Sequence, residues 1–294
     1  MNKEMLDQMQ NKAGFIAALD QSGGSTPKAL TNYGVNPNAY SNEDEMFDLI
    51  HQERSRIIKS PAFNDRIIGA IIFERTMESK IDGQYSAEYL WSKKHIVPFL
   101  KIDDGLADRA NGVQLMKDIP ELEDRLLAAK SHHIFGTKMR SVIFEANEQG
   151  ISDIVNQQFK LAEQVCSFDL VPIIEPEVNI MAANKEACEE ILLAKINNRL
   201  ESWPHDKKIM FKFTIPSKAN LYSQLYQYPS VVRIVALSGG YDLEEACDLL
   251  AKNHNMPASF SRALLQNLNI HQSDSEFNDT LNQAVEQIYR ASID

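Results

Sequence analysis

The sequence predicts an α/β protein of the (β/α)8 TIM-barrel class, one domain over residues 1–294. Two observations predict it. Eight short apolar runs alternate with longer amphipathic stretches, the pattern of parallel strands joined by helical crossovers. No Gly/Ser/Pro-rich linker divides the chain, and its length suits a barrel of about 250 residues with additions.

The predicted strands, in order, are Gly14–Asp20, Ile67–Glu74, Val97–Asp103, Phe135–Val142, Leu170–Val178, Lys208–Ile215, Val231–Ser238 and Ala258–Arg262. Met1–Asp7 is polar and helix-like, without the apolar run of a signal peptide. Between the strands, helical periodicity covers Glu43–Lys59, Ser86–Lys93, Glu121–Ser131, Ile151–Ser167, Lys185–Ser202, Ser217–Tyr226 and Leu243–Lys252, and Ser275–Ala291 follows the last strand. Ser25-Thr26-Pro27 places a capping residue and a proline at a helix start, and Ser41-Asn42 precedes an acidic first turn that suits the helix dipole. Pro204 is expected to end the helix before the sixth strand.

Composition narrows the function. A net charge of −11 argues against a nucleic-acid surface, so an anion would need a local cationic pocket. No stretch is long and apolar enough to cross a membrane, and a cytoplasmic location is expected. Cys166, Cys188 and Cys247 lie far apart, and their odd number fits a reducing compartment. The pair His132-His133 is a poor metal site, because adjacent side chains on a helix diverge. No metal or cofactor is expected.

The sixth strand carries the strongest signal. Lys212 stands between Phe211 and Phe213 in a run that reads as buried, and Glu175 and Glu177 interrupt the fifth strand. Burying a charge without a partner is expensive, and desolvation favours the neutral amine of a lysine. Such a lysine can be a nucleophile with a carboxyl moving protons beside it; a structural Lys–Glu pair is the alternative. Alternation decides between them. Ile209, Phe211, Phe213 and Ile215 share the face toward the helices, and Met210, Lys212 and Thr214 the face toward the axis. The same count turns inward Ile16, Ala18 and Asp20; Phe99, Lys101 and Asp103; Gly136, Lys138 and Arg140; and Ile173, Glu175 and Glu177. Charge in register on five strands, toward the ends where barrel sites lie, is not a packing pattern.

Two turns add to it. Leu237-Ser238-Gly239-Gly240 follows the seventh strand, where glycines let backbone N–H groups approach a phosphate, and Ser259-Phe260-Ser261-Arg262 puts an arginine beside it. Gln21-Ser22-Gly23-Gly24-Ser25 lacks the Gly-Lys-Ser/Thr ending of a nucleotide P-loop. Cations on both sides of a nucleophilic lysine imply a substrate with a phosphate at each end.

These motifs, in this order from about Gly14 to about Arg262, resemble the class I, Schiff-base fructose-1,6-bisphosphate aldolases, in the shorter bacterial form. The resemblance implies a metal-independent catalytic domain of glycolysis and gluconeogenesis acting on sugar phosphates; no nucleic-acid or membrane partner is expected from the charge and hydropathy. It implies that Lys212 forms the Schiff base, Glu175 shuttles protons, Asp20 handles the C4 hydroxyl proton, Lys138 stabilises charge between the carboxylates and Glu177 supports the lysine. It implies that Ser238, Gly239 and Arg262 hold the C1 phosphate, and Lys101 and Arg140, with Ser22 and Ser25, the C6 phosphate. The chain departs from the better-known animal enzymes at Gln21, where they have Glu, and is expected to do without their C-terminal tyrosine tail. A transaldolase or deoxyribose-phosphate aldolase would handle one phosphate at a time, and a binding scaffold would need a broken site.

Overall fold

Eight strands run parallel in a computed structural model that describes residues 1–21 and 26–293. They are β1 (Phe15–Ala18), β2 (Ile67–Ile72), β3 (Val97–Lys101), β4 (Gly136–Ile143), β5 (Val171–Val178), β6 (Ile209–Thr214), β7 (Val231–Leu237) and β8 (Ser259–Phe260). Their spatial order is β7-β6-β5-β4-β3-β2-β1-β8, and a parallel bridge between Ala236 and Ala258 joins the two ends. The Ala236 N–H donates to the Pro257 carbonyl at 2.9 Å across that seam. The eight expected strands are thus the eight staves of a (β/α)8 barrel.

Side-chain alternation divides the core in two. Phe15, Ala17, Leu100, Met139, Ile174, Phe211 and Phe213 face outward and pack under the helices. Ile16, Ala18, Ile71, Phe99, Ile173, Met210 and Val235 face the axis. The inner set is closed at the N-terminal mouth by helix Lys3–Asn11, whose Met5 and Met9 are buried against it. Asn2 caps that helix, and Gln8 Nε2 ties it to the carbonyls of Ile68 and His95, both at 2.8 Å. One end of the barrel is therefore closed by apolar side chains, with Arg233 Nε donating to the Met9 carbonyl beside them, and the cluster of Lys138, Glu175 and Lys212 lies toward the other.

Most helices fall where periodicity put them. Glu43–Lys59 has the expected bounds, and Asn42 caps it by accepting the Glu45 N–H at 3.0 Å. The expected helix over Ser217–Tyr226 is absent. Turns and a short 3-10 helix, Ser223–Gln227, replace it, because Asn220 takes a left-handed φ of 64°. Asn220 is held there by its N–H donating to Asn253 Oδ1 and its own Oδ1 accepting the His254 N–H, both at 2.8 Å. The leucine spacing that imitated a helix, Leu221 and Leu225, instead packs this turn against the barrel. Pro204 does not end the helix before β6; Lys185–Leu200 stops earlier. β2 ends at Ile72, and Glu74 opens a short helix, Glu74–Glu78. The hairpin Lys80–Ile81/Gln84–Tyr85 and the antiparallel pair of Val113–Gln114 with β4 are additions.

The apolar plug gives a stability prediction. Met9 is fully buried, so Met9→Ala should cost about 2–5 kcal/mol, the range for emptying a buried methionine. Urea unfolding measures it; a loss below about 0.5 kcal/mol, the surface range, would show the helix to be loosely seated.

Candidate active site

The strands deliver their polar residues to the C-terminal mouth. β4 carries Lys138, which is 3 % exposed, β5 carries Glu175 at 4 %, and β6 carries Lys212 at 4 %. Asp20 and Asp103 follow just beyond β1 and β3 and are also buried. Lys138 Nζ lies 2.5 Å from Asp20 Oδ2, 3.2 Å from Glu175 Oε2 and 3.8 Å from Asp103 Oδ2. The other oxygen of Glu175, Oε1, is 3.1 Å from Lys212 Nζ. Glu175 therefore bridges two amines, and Lys138 bridges three carboxylates.

The electrostatics follow from the packing. Burial opposes the charged form of Lys138, but the charges of Asp20, Glu175 and Asp103 outweigh it and raise its pKa well above the usual lysine range. Burial likewise opposes ionised Asp20, and Lys138, with Lys212 and Lys101, outweighs it and holds that carboxyl well below the usual range. With no substrate present, Lys138 is therefore held as a cation and Asp20 as an anion. The aromatic flank of Lys212 is not its surroundings. Phe211 and Phe213 turn to the helix layer, where Phe213 stacks on Tyr222 with centroids 3.9 Å apart, and Lys212 turns to Glu175.

Two further cations stand at the rim. Lys101 Nζ is 3.1 Å from Asp103 Oδ1 and also donates to the Asp103 carbonyl. Arg140 Nε donates to Glu177 Oε2 at 2.5 Å. Glu177, expected to support Lys212, thus has Arg140 as its ion-pair partner. Ser238 is buried at the end of β7, and Gly239 follows at φ 65°. A Cβ on Gly239 would lie 2.7 Å from Ile180 Cγ2, so only glycine fits both the dihedral and the space. Arg262 is not on a strand. It opens the short helix Arg262–Leu265, and its guanidinium reaches to 3.7 Å from where a Cβ on Gly240 would stand. Ser22 and Ser25 lie outside the described residues.

Asp103 was visible in the sequence as an inward residue two positions after Lys101, but nothing local marked it as the link between Lys101 and Lys138. Among the described residues, no group of His, Cys, Asp and Glu is placed to hold a metal ion.

Lysines and carboxylates buried at the C-terminal mouth of a parallel barrel stand where barrel enzymes place their active sites. The comparisons with known proteins are specific. The family model for class-I fructose-bisphosphate aldolase matches residues 3–215. The chain is 55 % identical over 294 residues to the fructose-bisphosphate aldolase class 1 of Porphyromonas gingivalis, covering 100 % of both chains. A solved fructose-bisphosphate aldolase from Plasmodium falciparum shares the fold at a TM-score of 0.74, with 19 % identity over 99 % of this chain and 95 % of that one. The chain belongs to the class I fructose-bisphosphate aldolase family, and so to the lyases.

The charge network has a pH signature. Asp20, held low, contributes stability above its ordinary pKa of 3.8 that is lost as pH falls through the folded value. Lys138, held high, contributes stability below its ordinary 10.5 that is lost only as pH rises through a still higher folded value. Lys138→Met leaves the carboxylates unpaired and should cost about 3–5 kcal/mol near neutrality. The deficit should shrink toward pH 5, where protonation relieves unpaired buried carboxyls. Urea unfolding of both proteins at pH 8 and pH 5 checks this; an equal deficit at both would contradict it.

Proposed function

We propose that the protein reversibly cleaves fructose 1,6-bisphosphate to dihydroxyacetone phosphate and glyceraldehyde 3-phosphate, without a metal, as a step of glycolysis and gluconeogenesis. The observation that carries this reading is the relay Lys212–Glu175–Lys138–Asp20, in which successive ammonium and carboxylate atoms are 3.1, 3.2 and 2.5 Å apart. Lys212, once it has given a proton to Glu175, adds to the C2 ketone. Glu175 returns the proton to the carbinolamine oxygen, water leaves, and an iminium remains. Asp20 takes the C4 hydroxyl proton; the C3–C4 bond breaks, its electron pair flows into the iminium, and glyceraldehyde 3-phosphate departs. Protonation of the enamine at C3 and hydrolysis of the iminium then release dihydroxyacetone phosphate and free Lys212. Lys138 supplies a constant positive charge beside each developing negative one.

The rim is read as two phosphate sites. Ser238, Gly239 and Arg262 hold the C1 phosphate. Lys101 and Arg140, with Ser22 and Ser25, hold the C6 phosphate. Glu177 engages Arg140 through Nε, which leaves the Nη groups for that phosphate.

An aldol-cleavage assay on fructose 1,6-bisphosphate in excess chelator tests the reaction. Activity is expected to persist; loss of activity restored by zinc would defeat the reading. Glu175→Gln should lower turnover by roughly 10²–10⁴-fold, the scale for losing a general acid–base, and near-normal turnover would remove Glu175 from the proton path.

The phosphate sites separate by substrate. Arg262→Ala should weaken fructose 1,6-bisphosphate and fructose 1-phosphate alike. Arg140→Ala should lower kcat/KM for the bisphosphate by roughly 10–100-fold, the worth of a charged hydrogen bond, and barely affect fructose 1-phosphate. Equal losses on both sugars for Arg140→Ala would show that the distal site lies elsewhere.

A further inference from the structure

Behind the mouth lies a cation that the mechanism does not use. Arg54, on helix Glu43–Lys59, is completely buried although it carries a guanidinium. Its Nε donates to the Leu19 carbonyl at 3.0 Å, and its Nη2 donates to Gln21 Oε1 at 2.5 Å. Leu19 and Gln21 are the two neighbours of Asp20. Gln21 Nε2 in turn donates to Ser261 Oγ, just before Arg262. Among the described residues its ion-pair partner is the adjacent Glu53, with Oε2 3.0 Å from Nη1.

The placement answers a mechanical problem. The Leu19 N–H donates to the Ile71 carbonyl at 2.8 Å, the last link of β1 to β2. Asp20 lies past the end of β1, yet its carboxylate must meet Lys138 at 2.5 Å. A guanidinium is planar and its donors are fixed relative to one another, so two bonds to residues on either side of Asp20 set the path of that segment. Burying the cation is costly, and an apolar side chain would fill the space without that cost. What the apolar chain could not do is hold both flanks of Asp20.

We infer that Arg54, acting through Gln21 and Ser261, is a positioning residue for Asp20 and ties the end of β1 to the end of β8. Arg54 touches neither substrate nor the Asp20 carboxylate; it fixes the backbone that aims that carboxylate at the C4 hydroxyl. The inference rests on the aldolase reading of Asp20. It predicts a defect confined to carbon–carbon cleavage, because carbinolamine and iminium formation belong to Lys212 and Glu175.

The test compares two readouts in one variant. Gln21→Met has nearly the same length and removes both side-chain hydrogen bonds. The kcat for cleavage of fructose 1,6-bisphosphate should fall roughly tenfold or more, as expected when a reacting group is displaced by a fraction of an ångström. The borohydride-trapped adduct with dihydroxyacetone phosphate should form at the wild-type rate. Gln21→Glu should restore most of the cleavage rate, since its carboxylate accepts from both Arg54 and the Ser261 hydroxyl. Should Gln21→Met not fold, Ser261→Ala frees the far end of the same amide and should show the same split at roughly threefold. Wild-type cleavage in Gln21→Met, equal losses in cleavage and trapping, or no recovery in Gln21→Glu would overturn the inference. Failure of the wild-type protein to cleave the sugar at all would instead strike the aldolase reading.

Discussion

The shared ammonium of Lys138 is the interaction on which the rest of the site depends. Three buried carboxylates, Asp20, Glu175 and Asp103, converge on it. Removing that charge would leave them facing one another where water cannot screen them. Burial opposes the charge of Lys138; the three acids outweigh burial and keep it charged. The same pairing keeps Asp20 ionised. A lysine locked in its charged form is no nucleophile, which is why Lys212, whose ion-pair partner among the described residues is Glu175, is the proposed one.

The barrel makes the arrangement affordable by separating it from the apolar half. Five strand ends contribute the charges, so no two adjacent residues of the chain have to supply them. Beneath them, Met5 and Met9 seal the opposite mouth against Ile16, Phe99, Ile173 and Met210. The charged layer therefore rests on a largely apolar floor and opens in one direction. Field strength at the amine depends on that low-dielectric surround as much as on the distances.

The sequence revealed what is periodic. Alternation placed Lys138, Glu175 and Lys212 on the inner face, because a strand leaves a side chain two directions only. It also sent Phe211 and Phe213 outward, although both adjoin Lys212 in the chain. What stayed hidden is set by contacts between distant segments. Glu177 meets Arg140 because they lie on neighbouring strands with Arg140 in register with Glu175, a relation no single strand displays. Arg54 looks like one more charge on an amphipathic helix until the end of β1 is laid against it. The helix expected over Ser217–Tyr226 failed for the same reason: Leu221 and Leu225 kept the right spacing, while Asn253 and His254, more than thirty residues on, bind Asn220 in a left-handed turn.

Two lysines are proposed to divide the labour, Lys212 as nucleophile and Lys138 as permanent charge. Peptide mapping after borohydride reduction with dihydroxyacetone phosphate tests this division most directly. The account predicts a single adduct, on the peptide containing Lys212, and none on Lys138. An adduct on Lys138 or Lys101, with Lys212 unmodified, would contradict it.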